Sequence, residues 1–117
     1  MSTLRVNTIQ DSTGSSTPAI NGLARAWVNF NGTGTVAIRA SLNVSSITDN
    51  GTGDYSLNFT TAMPDANYAP VAIGELNGGA MSVCVNQGLT ASAWNLRIRD
   101  NSGNNIDSSI TTAAIFR

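Results

Sequence analysis

The sequence contains no histidine and no lysine, a single cysteine and a single glutamate. Each shortage removes a class of chemistry. Without His or Lys, proton transfer near neutral pH would fall to Asp side chains and to Glu75, which stands alone near the end of an apolar stretch. Asp49, Asp54, Asp65 and Asp100 all sit in turn-like segments, where such side chains bond their own backbone. Cys84 can form no internal disulfide, and with no imidazole to activate it the thiol reads as a small buried group. Six arginines against seven acids leave a net charge of −1. No basic face is therefore available to neutralise phosphates, which argues against nucleic acid as a partner. No apolar run approaches the ~20 residues of a membrane-spanning helix, and no signal-peptide pattern follows Met1. The loops 49–54 and 100–104 gather oxygen ligands but lack EF-hand spacing and a closing bidentate Glu. The expectation is a non-enzymatic chain with no catalytic residue, no cofactor and no metal.

What is abundant is turn chemistry. Ser, Thr, Asn and Gly make up 51 of the 117 residues, a bias that suits short strands and tight turns and disfavours long helices. The four Asn-X-Ser/Thr sequons at Asn31, Asn43, Asn50 and Asn58 follow from that composition. Between the turns, apolar residues recur at a spacing of two, as a half-buried strand requires. Ala24, Ala26, Val28 and Phe30 alternate with Arg25, Trp27 and Asn29. After Gly32-Thr33-Gly34, the residues Val36, Ile38, Ala40, Leu42 and Val44 resume the spacing. Ser45-Ser46 shifts the phase, the signature of a bulge or of the start of a loop. After the Asn50-Gly51 turn come Tyr55, Leu57 and Phe59. Residues 24–60 thus read as a β-meander, with Val28, Phe30, Tyr55, Leu57 and Phe59 in the core.

Downstream, Pro64-Asp65 marks a crossing loop. Ala69, Val71 and Ile73 share a face of the next strand, and Pro70, which lacks a backbone donor, marks an edge strand or the strand's beginning. Asn77-Gly78-Gly79 reads as a hairpin turn into Met81, Val83 and Val85, and Gln87–Thr90 as another turn. Trp94, Leu96 and Ile98 alternate with Asn95, Arg97 and Arg99. A final strand ending at Arg117 would pin the C-terminus into a sheet. Eight or nine short strands with turn signals about every ten residues predict an all-β antiparallel sandwich or barrel over residues 23–117. Residues 1–22 form a separate lead. There Leu4, Val6 and Thr8 alternate ahead of a Ser/Thr/Gly run. The segment is either an edge strand of the same sheet or, the favoured reading, an arm that contacts a neighbouring subunit. Trp27, between Arg25 and Asn29 on the face opposite Val28 and Phe30, covers a rim, lies on a strand buried on both faces, or offers a contact surface. The candidate protein-contact residues are Leu4, Arg5, Val6, Arg25 and Trp27.

The stretch AWVNFNGTGTVAIRASLNVSSITDNGTGDYSLNFTTAMPDANY closely resembles a segment of tailed-bacteriophage virion proteins, tail-fibre and related surface proteins in particular. The resemblance runs from about Ala24 to Tyr68, with a looser likeness over STLRVNTIQDSTG. It implies a structural protein of a phage particle, made in the host cytoplasm and trimeric as phage surface proteins commonly are. A chain of this length lacks a fibre shaft. The expectation is therefore a capsid decoration (cement) protein, a homotrimer bound to the major capsid protein or other virion proteins. The alternative is a tail-fibre or receptor-binding module that contacts a host surface glycan or protein.

Overall fold

A computed structural model describes residues 1–3, 5–7, 23–75 and 82–117. Eight strands are present among them: β1 (Ala24–Asn31), β2 (Ala37–Leu42), β3 (Val44–Gly51), β4 (Asp54–Phe59), β5 (Ala69–Gly74), β6 (Val83–Leu89), β7 (Ala93–Arg99) and β8 (Thr111–Phe116). They form two four-stranded antiparallel sheets, ordered β2-β1-β8-β5 and β3-β4-β7-β6. No strand is shared between the sheets, so the architecture is a sandwich and not a barrel.

Alternation builds the core. Inward residues of the first sheet, Ala26, Val28, Phe30, Ala113 and Ile115, meet Tyr55, Leu57, Phe59, Trp94, Leu96 and Ile98 of the second. The five residues assigned to the core from the meander are all buried. Two edge-to-face aromatic pairs cross the layer. Phe30 meets Tyr55 with ring centroids 5.2 Å apart, and Phe59 meets Tyr68 at 5.7 Å. Such T-shaped pairs add about 1 kcal/mol beyond the area they bury.

The expected meander is two hairpins in opposite sheets. β1 pairs β2 in one layer, and β3 pairs β4 in the other. The run from Val36 to Val44 is not one strand, because it breaks at Asn43, whose backbone takes φ +55°. That left-handed turn carries the chain from the first sheet to the second. Asn tolerates it better than other non-glycine residues because its short amide bonds locally. Here the Asn43 Nδ2 donates to the carbonyls of Arg25 (3.3 Å) and Thr61 (3.0 Å), and its Oδ1 accepts from the Thr61 N–H at 2.7 Å. The expected bulge at Ser45-Ser46 is present as a register shift between Val44 and Ser46.

Residues 60–68 cross back to the first sheet, where β5 is the edge strand that Pro70 suggested. The side of the sandwich at β5 and β6 is closed by Ser82, whose Oγ accepts from the Gly74 N–H at 3.0 Å and donates to the Gly74 carbonyl. The turn expected at Gln87–Thr90 lies later. The register slips between Asn86 and Gly88, a bulge at Gln87 within β6, and Thr90 turns the chain by bonding Ala93 through both its hydroxyl and its N–H. β8 runs to Phe116 between β1 and β5, so the C-terminus is pinned inside a sheet. In the lead, Leu4 and residues 8–22 lie outside the described residues. The short strand expected there is not formed at Arg5 and Val6, which are exposed and in no strand.

Candidate interaction surface

The outer faces of the two sheets differ in chemistry. On the second sheet, outward side chains bond one another. Asn58 donates to Ser46 (3.1 Å) and Thr48 (2.9 Å), Asn50 donates to Ser56 (2.8 Å), and Arg97 pairs with Asp54 at 2.6 Å. Apart from Val83 and Val85 on the edge strand β6, that face is polar and bonded within itself.

The first sheet presents the opposite. Register places Leu42 beside Trp27, Trp27 beside Ala114, and Ala114 beside Val71, so one apolar row crosses all four strands. The next row outward is Ala40, Asn29, Thr112 and Ile73, and a third pairs Phe116 with Ala69. Val71 is 57% exposed, Ile73 64%, Leu42 50% and Trp27 38%. Scattered exposed apolar residues are ordinary, but a contiguous block of them on one flat face marks a contact surface. Between Val71, Ile73 and Ala114 lies a shallow hollow of about 280 Å³, floored by Ala72, Thr112 and Ala113.

Two arginines border this face. The Arg25 Nε donates to the Arg117 carbonyl at 3.2 Å, near the third row. Arg39 sits where β1 and β2 slip register, donating to Asn29 Oδ1 (3.3 Å) and the Ser109 carbonyl (2.6 Å). No carboxylate lies at an outward position of β1, β2, β5 or β8.

Of the five residues expected to make contacts, Trp27 and Arg25 fall on this face. Arg5 and Val6 are exposed but joined to it by no hydrogen bond or strand pairing among the described residues, and Leu4 lies outside them. Sequence reading missed Leu42, Val71, Ile73, Ala114 and Phe116. Alternation puts Ala69, Val71 and Ile73 together, yet that shared face is the outer one. The signal was in their partners. The inward residues of β5 are Pro70, Ala72 and Gly74, small because Ile98 and Ser108 pack closely: a Cβ on Gly74 would lie 2.9 Å from the Ile98 side chain. A strand whose inward residues are smaller than its outward ones has large apolar groups left for another surface.

The acids are committed locally. Asp49, Asp65 and Asp100 accept from backbone N–H groups two residues on, as turn acids do. Asp54 instead heads β4 and pairs with Arg97. Hydrogen bonds to Arg117 and to the Asn67 backbone hold the Asp65 carboxyl down at about 2, and bonds from Asn104 and its neighbours lower that of Asp100. Asp107 accepts from the Gly53 N–H (2.8 Å) and the Tyr55 hydroxyl (2.9 Å). Cys84 packs against the core from β6, and burial pushes its thiol up to about 11, away from the reactive thiolate form. None of the family models, characterised proteins or solved structures compared with this chain matches it.

Proposed function

We propose that the chain is a non-enzymatic structural protein of a phage virion, a capsid decoration (cement) protein acting by protein–protein contact as a homotrimer. The resemblance of residues 24–68 to phage surface proteins supplies the setting. The observation that carries the mode of action is the apolar block on the outer face of the first sheet, with Trp27 within it and Arg25 at its border. Trp and Arg are the residue types that most often anchor protein interfaces. The lead, with Leu4, Arg5 and Val6, would reach neighbouring subunits, and symmetric, multivalent docking would hold shell subunits together by mass action.

Adding the purified protein to undecorated heads and, separately, to host cells tests this reading. Saturable binding to heads, with a raised temperature of head disruption, is the expected result. Binding to cells alone would replace it with the receptor-binding reading. Removing residues 1–17 should weaken head binding while leaving the melting temperature of the sandwich unchanged. A truncated chain that fails to fold would make the lead an integral strand.

A further inference from the structure

We propose that the outer face of the first sheet is a self-association surface, on which Trp27 of one copy seats in the Val71–Ile73–Ala114 hollow of a second copy. This rests on the reading that the chain works by protein contact, and not on where in a particle it sits.

The face is self-complementary. Its β2–β1 half is raised by Leu42 and Trp27, and its β8–β5 half holds the hollow of about 280 Å³. Knob and hollow therefore lie on either side of the midline between β1 and β8. A two-fold pair and a closed ring of copies both bring one copy's raised half onto another's hollow half. Small residues beside large ones are what allows two sheet faces to interdigitate, and here Ala40, Ala69 and Ala114 alternate along their strands with Leu42, Val71 and Phe116.

Charge points to the same occupant. The central row contains no ionisable group, and Arg25 and Arg39 at the borders already donate to carbonyls of their own chain. Burying the central row against another copy strands no charge. A sugar or other polar ligand would find only Asn29 and Thr112 to bond in the middle of the face, and Asn29 Oδ1 already accepts from Arg39. Six-residue strands at ~3.3 Å per residue, four abreast at ~4.8 Å, give a face of roughly 20 × 19 Å, near 400 Å² in projection. A standard interface buries about 800 Å² per partner, so this contact belongs among the weak, concentration-dependent ones. The outer face of the second sheet, polar except for Val83 and Val85 at its β6 edge, offers no comparable apolar block.

Sedimentation equilibrium of the full chain from micromolar to millimolar concentration tests the proposal. Mass should rise with concentration, and tryptophan emission should shift to the blue with it. Trp94 is buried throughout, so that shift reports Trp27. Val71→Asp and Ala114→Glu should each weaken association about tenfold or more with little change in melting temperature. Asn95→Asp, an added charge on the exposed face of the second sheet, should leave it unchanged. A chain that stays monomeric throughout overturns the proposal. So does an oligomer indifferent to Val71→Asp and Ala114→Glu, or one that Asn95→Asp disrupts equally. Self-association without head binding would instead sink the virion reading and leave this surface standing.

Discussion

Thr111 is fully buried at the start of β8, and its hydroxyl has no hydrogen-bond partner among the described residues. A buried hydroxyl without a partner loses its bonds to water and regains nothing, at a cost of about 1–3 kcal/mol. Thr111→Val keeps the branched shape and removes the unmet group. It should stabilise the fold by about 1 kcal/mol, a rise of about 4 °C in melting temperature by calorimetry. An unchanged or lowered value would mean that the hydroxyl is bonded. The contrast with Tyr55 is instructive, because its equally buried hydroxyl is shared between Asp107 (2.9 Å) and the Gly32 carbonyl (3.0 Å). Tyr55 was legible as a core residue from its place in an alternating run. Its partners, 52 and 23 residues away in the chain, were not. Alternation reports which way a side chain points, while the atoms that satisfy it are decided by packing.

At the level of elements the decisive residue is Asn43. Spacing alone joins Val36 through Val44 into a single strand, because the period of two continues unbroken across the break. What divides the run is one backbone φ of +55° and three hydrogen bonds to Arg25 and Thr61, both distant in sequence. Strand identities were therefore legible where turns carry glycine or proline, as at Gly34, Gly51 and Pro64. The sheet to which each strand belongs was not. Asn43→Ala should lose the side-chain bonds and add left-handed strain, destabilising by about 2–3 kcal/mol in urea titrations. Asn43→Gly should recover only the strain, and so fall between Ala and the wild type. If Gly proves as stable as Asn, the amide bonds contribute nothing and the crossover is held by backbone alone.

Taken whole, the molecule divides its polarity between its two outer faces and keeps its ionisable groups off the outward positions of the apolar one, apart from Arg25 and Arg39. Composition showed the scarcity of charge, but only the register of four strands showed that Leu42, Trp27, Ala114 and Val71 make one row. The same scarcity shapes how stability responds to pH, because few groups titrate and the perturbed acids with raised pKa values lie in or against the core. Burial pushes Cys84 up to about 11 from an ordinary value of 9.0. Burial, followed by the bond to Asp107, raises Tyr55 above its ordinary 10.0, and burial raises Tyr68 as well. For each group the unfolded chain releases its proton first. Between the unfolded and folded values the unfolded state therefore binds fewer protons, and stability falls as pH rises. The contribution of Cys84 is fully present below pH 9.0 and is lost through about 11; those of Tyr55 and Tyr68 begin to fade only above 10.0. Urea midpoints taken from pH 8 to 11 should accordingly hold level to about 9 and then decline. Cys84→Ala should delay the onset to about 10, where the tyrosines take over. A decline that starts at the same pH with and without Cys84 would show that its thiol is not held in the protonated form by the core.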